Sequence, residues 1–233
     1  FVLRTEGNTM KKRTLSLSLT TTLALLMIPG ALAAQEATGV AGPANTVADY
    51  SDIEHEKGKS FFSKLVNTKW RGYKINLLDT PGYDDFAGEI IGAMRVADCG
   101  LMLLNSSMGV EVGTDIIWEY ANDYKLPILL AVNQLDNEKS DFDKTIQEAK
   151  DHFGQSVVVV QYPFNQGPEF DAIIDVLNMV MYQYPKNGGK PQKLAIPETE
   201  IEKANRLHQE LIETIAGNDE NLMELYFEKG ELN

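Results

Sequence analysis

The sequence has little of what disulfides and histidine metal sites require. Its 233 residues include one cysteine, Cys99, and three histidines that are scattered along the chain. A single cysteine cannot form an internal disulfide, and isolated histidines do not build a metal cluster. Cys99 lies in the apolar stretch 96–101, so we expect it to be a buried structural thiol.

Positive charge is also scarce. The chain carries 21 lysines and arginines against 34 aspartates and glutamates, a net charge of −13. A chain this acidic has no general electrostatic attraction to DNA, RNA or anionic membranes. We therefore expect no direct DNA binding, and contact with any nucleic acid would require a local basic face or another domain.

Long apolar runs are missing as well. The apolar stretch 23–28 is far too short to span a bilayer, so we expect no stable membrane span. It follows Lys11-Lys12-Arg13 and precedes Ala31-Leu32-Ala33, the order of a secretory signal. Export is therefore an alternative to a cytoplasmic location. A second interpretation makes residues 1–3 the stub of a first strand and residues 11–28 the helix behind it. Both interpretations stay open.

The rest of the chain has the composition of a folded domain, with 43% hydrophobic residues. That suits one domain, or one domain with an insertion, and a core large enough to fold. Apolar runs typical of buried strands alternate with segments of helical spacing. The alternation predicts an α/β fold, a mainly parallel sheet with helices on both faces. Predicted strands are 61–70, 72–78, 100–105, 127–132 and 157–160; predicted helices are 83–97, 115–124 and 140–154, the last capped by Ser140 and stopped by Gly154.

The pattern changes after residue 160. A Pro/Gly-rich stretch, 185–191, precedes a predicted helix over 198–216, which Gly217-Asn218 ends. We interpret 161–233 as an α-rich inserted subdomain, incomplete in this chain, and 45–160 as the main α/β domain. Residues 1–44 form a signal-like or degenerate N-terminal segment with a linker.

Two tetrapeptides follow predicted strands directly: Asp79-Thr80-Pro81-Gly82 and Asn133-Gln134-Leu135-Asp136. The carboxyl ends of strands in such sheets are where ligands bind. A carboxylate at Asp79 suits Mg²⁺, and the Gly82 N–H would meet a γ-phosphate. Asp136 would accept two N–H groups of guanine, with Asn133 bracing the loop and touching the base edge. Each tetrapeptide alone is equally an ordinary turn; the two together, in this order, favour a guanine-nucleotide site.

These residues resemble a known family. Residues 49–60, 79–86, 109–113, 133–136 and 157–176 look like the GTPase domain of bacterial elongation factor G, especially its divergent second form, and residues 202–232 resemble the subdomain inserted in it. The resemblance implies a P-loop-NTPase-like fold, GTP or GDP with Mg²⁺, the ribosome as partner, GTP-dependent translocation and a cytoplasmic location. It places nucleotide contacts at Asp79, Thr80, Pro81, Gly82, Asn133, Gln134 and Asp136, and Mg²⁺ at Asp79 and at Ser60, the position of the switch threonine.

The sequence departs from the family pattern in several places. The phosphate loop G-x-x-x-x-G-K-[ST] is expected near residues 4–11, where only Gly7 remains, off pattern. Tyr83 occupies the catalytic histidine position, and Gln134 replaces a lysine. The chain also ends before the family's last guanine-contacting loop. We therefore expect an impaired GTPase whose binding of GTP and Mg²⁺ is weakened or lost. The alternatives are a ribosome-binding module independent of nucleotide hydrolysis, or an exported or chimeric fragment.

Overall fold

The structure is a computed structural model that describes residues 2–6, 51–70, 72–82, 84–186, 188–217, 223–224 and 228. The signal-like stretch 10–34 and Tyr83 therefore lie outside the described residues. The chain divides into two compact units. The first contains Phe1–Leu104 and Glu111–Ala131, and the second contains Asn105–Val110 and Val132–Asn233.

A five-stranded sheet has the order β2-β3-β1-β4-β5. Its strands are β1 (Val2–Glu6), β2 (Lys64–Trp70), β3 (Tyr73–Asp79), β4 (Cys99–Asn105) and β5 (Ile128–Asn133). The predicted hairpin is confirmed, because β2 and β3 pair antiparallel with Trp70 opposite Tyr73. β1 runs antiparallel to both of its neighbours, β3 and β4, so that β3 and β4 run parallel to each other.

Among the described residues of the first unit, three helices and a short 3₁₀ turn accompany this sheet. They are α1 (Asp52–Lys57), the 3₁₀ turn Asp84–Phe86, α2 (Ala87–Met94) and α3 (Val112–Asp123). The helix predicted over 83–97 is confirmed in its central part, and the one predicted from residue 115 begins three residues earlier. Since strands and helices alternate along the chain, the predicted α/β class is confirmed.

Apolar side chains of the sheet and helices form the core of the first unit. Ala93 and Met94 of α2 are buried together with Ala121 of α3. Ile75 and Leu77 of β3 form a second buried cluster, against which Cys99 packs. Cys99 is only half-buried, not fully buried as predicted; burial, and then the charge of Asp98, raise the pKa of its thiol.

In the second unit, helix α4 (Phe142–Phe153) has buried residues that follow a helical spacing: Phe142, Thr145, Ala149 and Phe153. The predicted stop at Gly154 is confirmed. The predicted cap is wrong. The Asp141 carboxylate accepts the backbone N–H of Lys144, while the Ser140 hydroxyl donates to the carbonyl of Leu135. A carboxylate placed one residue before the helix can reach this N–H, as an N-cap requires.

A four-stranded antiparallel sheet follows, in the order β6-β7-β8-β9. The strands are β6 (Gln161–Pro163), β7 (Ala172–Asp175), β8 (Val180–Gln183) and β9 (Gln192–Leu194). The strand predicted at 157–160 is wrong, because pairing starts only at Gln161. The predicted long helix is confirmed as α5 (Glu198–Ala216), which buries Ala204, Leu211, Ile212 and Ala216. Among the described residues, no helix is long and apolar enough to cross a membrane.

Candidate functional site

Asp79 is the last residue of β3, a strand that is anchored by its buried centre at Ile75, Asn76 and Leu77. The Asp79 side chain is half-buried, and Lys64 of β2 stands opposite it in the hairpin register. The chain then leaves the sheet through half-buried Thr80 and fully buried Pro81. The next residue, Gly82, is exposed, and a Cβ added there would meet no atom within 4 Å. Packing within the described protein therefore does not require glycine at this position.

Ser60, the predicted Mg²⁺ hydroxyl, is half-buried in the connection between α1 and β2. Gly58 ends α1 in the left-handed conformation, with φ of 62°, which lets the chain turn towards Ser60. Sequence reasoning overlooked Glu54 of α1, which is only 1% exposed. Its carboxylate forms an ion pair with Lys64 and accepts hydrogen bonds from the Ser51 hydroxyl and from the N–H of Phe61.

The protonation of Glu54 is set by two opposing effects. Burial raises the pKa of its carboxyl, because a charge is costly away from water. The hydrogen bonds from Lys64, Ser51 and the N–H groups of Phe61 and Phe62 favour the charged form and outweigh burial. Together they lower the pKa of Glu54 from 4.5 to about 2, so the group is an anion at neutral pH.

The second predicted motif, residues 133–136, forms a loop at the end of β5, here called the NQLD loop. Ser106 supports it from the end of β4: its N–H donates to the carbonyl of Asn133 at 3.0 Å, and its hydroxyl donates to the carbonyl of Gln134 at 2.8 Å. Ser106 is itself buried, with 2% exposure. The Asn105 amide also donates to the side-chain oxygen of Gln134, at 3.0 Å. Lysine at position 134 has no acceptor for that bond.

The other side of the NQLD loop is closed by its own turn and by a later loop. The N–H of Asn137 donates to the Gln134 carbonyl at 3.0 Å, and Gln134 adopts a positive φ of 60°. The Leu135 carbonyl accepts the Ser140 hydroxyl at 3.1 Å and the Gly167 N–H at 2.8 Å. The loop backbone is therefore held from three directions before any ligand is present.

The side chains of Asn133 and Asp136 are exposed on this hydrogen-bonded loop. Within the part of the chain that the structure describes, the Asp136 carboxylate forms no hydrogen bond or ion pair. A carboxylate that faces solvent from a hydrogen-bonded loop is available to a ligand that carries adjacent N–H donors.

Segment 105–110 is a further element that sequence reasoning missed. The carboxylate of Glu148, on α4, accepts the N–H of Val110 at 3.1 Å. Gly109 has a φ of 74°, and a Cβ built on it would overlap the Glu148 carboxylate. The Ser106 carbonyl accepts the Asp141 N–H at 2.9 Å, which ties the segment to the start of α4. The sequence signals in this segment were the Asn-Ser-Ser run that begins at the last residue of β4, and Gly109, the first residue of the resemblance at 109–113.

The two motifs belong to different units. Ser60, Asp79, Thr80, Pro81 and Gly82 lie in the first, and Asn133, Gln134 and Asp136 lie in the second. Within the described residues, no group of three or more His, Cys, Asp or Glu side chains could hold a metal ion.

A separate cleft of about 520 Å³ lies between α4 and α5 in the second unit. None of the predicted site residues lines it. Four of its charged side chains form two ion pairs, Lys203 with Asp143 and Lys150 with Glu210. The residues that the sequence motifs predict as site residues therefore lie outside this cleft.

Comparison with known proteins agrees with the motifs. The family model described as the elongation factor Tu GTP binding domain matches residues 20–228. A curated relative, the elongation factor G-like protein of Thermotoga maritima, is 35% identical over 180 residues, which are 77% of this chain and 26% of that protein. Elongation factor G of Petrotoga mobilis is 32% identical over 188 residues, 80% of this chain and 27% of that protein.

A solved structure supports the same relation. A crystal structure of a Thermus thermophilus protein matches with a TM-score of 0.76 at 30% identity, and covers 84% of this chain and 29% of that one. The chain spans about a quarter of the length of the curated relatives it matches. Because the family model covers most of its residues, the chain belongs to the elongation factor Tu GTP-binding domain family.

Proposed function

We propose that this chain is the guanine-nucleotide-binding domain of an elongation-factor-G-like translational GTPase. In this proposal the NQLD loop selects guanine, and the segment from Asp79 to Gly82, with Ser60, faces Mg²⁺ and the terminal phosphate. Family membership and the names of the two curated relatives support it. The ribosome as partner, GTP-dependent translocation and a cytoplasmic location are proposed on the same basis.

The proposal rests chiefly on the exposed carboxylate of Asp136. Guanine carries two neighbouring N–H donors on one edge, at N1 and at the exocyclic amine, and a carboxylate accepts both at once. Adenine presents an unprotonated N1 at the corresponding edge, where a carboxylate finds no donor. Because hydrogen bonds from Ser106 and Gly167 already hold the loop, little ordering entropy opposes binding.

The segment from Asp79 to Gly82 supplies the proposed phosphate side. The carboxylate of Asp79 and the hydroxyl of Ser60 are hard oxygen ligands of the type that Mg²⁺ prefers. The exposed Gly82 leaves its N–H accessible to an anion, and packing does not explain why this residue is glycine. Mg²⁺ would neutralise phosphate charge at this place, and Asp79 would orient its bound water.

We expect the chain to bind nucleotide weakly and to hydrolyse it slowly. Its 233 residues contain no G-x-x-x-x-G-K-[ST] pattern, the loop whose backbone N–H groups and lysine cradle phosphates. Each charge-assisted hydrogen bond that is not made lowers binding by about 1.5–3 kcal/mol. Tyr83 stands where the family has a histidine, and a phenol does not orient the attacking water as an imidazole does.

Competition with a fluorescent GDP analogue in the presence of Mg²⁺ tests base selection. We expect GDP to compete better than inosine diphosphate, which lacks the exocyclic amine, and ADP to compete least. Asp136→Asn should weaken GDP binding roughly ten- to hundredfold, because one charge-assisted pair is lost. The same variant should improve the binding of xanthosine diphosphate relative to that of GDP. Glu138→Gln, an exposed acid beyond the NQLD loop, is the matched control and should stay within about twofold of wild type.

Equal competition by ADP and GDP would contradict the proposal. So would an Asp136→Asn variant that binds GDP as the wild type does. Because weak binding is expected, the titration extends to millimolar nucleotide, and the absence of any guanine-dependent signal there also counts against it.

A second function is favoured by Tyr83 and by the missing phosphate-loop pattern: ribosome binding that does not require hydrolysis. Co-sedimentation with ribosomes, with GTP, with GDP and without nucleotide, separates the two. Equal sedimentation in all three conditions supports the second function, and sedimentation that requires GTP supports the first.

A further inference from the structure

The turn at residues 61–63, directly after Ser60, is held by two carboxylates from different helices. Glu54 of α1 accepts the N–H groups of Phe61 and Phe62, at 2.8 and 3.3 Å. Glu89 of α2 accepts the next N–H, that of Ser63, at 2.8 Å. Three successive backbone N–H groups therefore donate to two acidic side chains. We call this pair of side chains, Glu54 and Glu89, the carboxylate clamp.

The Glu54 half of the clamp is buried and neutralised. Lys64, which is 5% exposed, pairs with the Glu54 carboxylate, and the Ser51 hydroxyl donates to it at 2.6 Å. A buried carboxylate persists when it is paired and fully hydrogen-bonded. Since α1 has six residues, too few for a helix to be stable alone, these bonds also hold α1 against β2.

The Glu89 half connects the same turn to the segment that follows Gly82. Glu89 lies in the first turn of α2, and its backbone carbonyl also accepts the Ser63 hydroxyl, at 3.1 Å. The rings of Phe61 and Phe86 meet edge to face, with centroids 5.1 Å apart. The turn after Ser60 is thus fixed both to α1 and to the start of α2.

We propose that Glu54 and Glu89 are positioning residues that hold Ser60 and the turn after it in one place, relative to the start of α2, without nucleotide. The acidic pair anchors the turn through contacts within the protein. The consequence for Mg²⁺ at Ser60 rests on the function proposed above, whereas the clamp itself does not.

Amide hydrogen exchange on the nucleotide-free protein tests the clamp directly. The decisive variant is Glu54→Leu with Lys64→Met, because replacing a buried ion pair by apolar residues of similar volume often preserves stability. We expect the N–H groups of Phe61 and Phe62 to exchange roughly ten- to hundredfold faster than in wild type, the loss of a charge-assisted acceptor. Global unfolding in urea should change little.

A second double variant separates the acceptor oxygen from the charge. Glu54→Gln with Lys64→Met also removes both charges but keeps a carbonyl oxygen, so we expect it to restore much of the protection at Phe61. Glu56→Gln, an exposed acid on the same helix, is the control and should leave exchange unchanged. Equal exchange in the leucine and glutamine double variants would overturn the assignment of Glu54 as the acceptor.

Glu89→Ala tests the other half of the clamp, with exposed Asp85→Ala as its control. We expect faster exchange at Ser63 and, because both carboxylates hold one turn, also at Phe61. If the Phe61 N–H exchanges faster only because exchange also becomes faster throughout β3, the clamp is not local and the proposal is contradicted. Amides at 61–63 that exchange freely in the nucleotide-free wild type would contradict it as well. Since no nucleotide is used, failure of GDP binding leaves this result unaffected, and the two proposals fail independently.

Discussion

Glu54→Gln is expected to destabilise the first unit substantially, because it removes the charge of a buried and well-bonded carboxylate. The interactions that lower the pKa of Glu54 from 4.5 to about 2 also stabilise the folded state. At about 1.4 kcal/mol per pKa unit, the difference corresponds to about 3 kcal/mol at neutral pH. Removal of one partner of a buried ion pair costs about 3–5 kcal/mol in other proteins, which agrees with this figure.

The pH dependence follows from the direction of the shift. A carboxyl whose pKa is depressed in the folded state stabilises it fully above its unfolded pKa, 4.5, and loses this contribution as pH falls towards about 2. Glutamine resembles the protonated carboxyl, so wild type and variant should converge in acid. We expect the difference in unfolding free energy to be about 3 kcal/mol at pH 7 and about 1 kcal/mol at pH 3.

Urea unfolding of wild type and Glu54→Gln between pH 3 and pH 7 measures this difference. Other carboxyls protonate in both proteins, so their effects cancel in the comparison. Glu56→Gln serves as the control, because Glu56 is exposed and pairs with exposed Lys57. A Glu54→Gln difference below about 1 kcal/mol at pH 7, or one independent of pH, would refute the reasoning.

Three further predictions concern single side chains. Ser106→Ala should destabilise the second unit by about 1–3 kcal/mol, because it removes a buried hydrogen-bond donor to the NQLD loop. The neighbouring Ser107→Ala should destabilise it less, and urea unfolding of both variants measures the difference. Gly109→Ala should lower the melting temperature, because the new Cβ overlaps Glu148 and φ is positive. Gly92→Ala, in the open middle of α2, should instead stabilise by about 0.5–1 kcal/mol.

The elements with strong sequence signals were predicted well. The β2–β3 hairpin, β4, β5 and α4 follow from apolar runs and helical spacing, and Gly154 marks the end of α4. The class of the fold followed from these elements. The family followed from the resemblance carried by residues 49–60, 79–86, 109–113, 133–136 and 157–176. Signals of this kind lie in consecutive residues, so they can be recognised without knowledge of distant contacts.

The sheet of the second unit was not predicted, because β6 to β9 are only three or four residues long. Apolar runs of that length carry no period that separates strand from helix. The antiparallel placement of β1 depends on its pairing with β3 and β4, which lie far away in sequence. The cap of α4 was misplaced by one residue, since serine and aspartate are both good N-caps and stand side by side.

The supports of the candidate site were also beyond sequence reasoning. In the sequence, Glu54 is one of several acids in segment 49–60, and Glu89 lies within the helix predicted over 83–97. Their partners are Lys64, ten residues away, and Ser63, twenty-six residues away. Ser106 supports the NQLD loop across twenty-eight residues. Contacts of this kind follow from the tertiary fold and leave no periodic trace in the sequence.

Backbone NMR of the second unit's NQLD loop during nucleotide titration tests the central claim most directly. With Mg²⁺ present, we predict that GDP shifts the amide signals of residues 133–136 while ADP at equal concentration leaves them in place, and that Asp136→Asn abolishes the difference. Signals of the loop that respond equally to both nucleotides, or to neither at millimolar concentration, would contradict the assignment of a guanine-selective site.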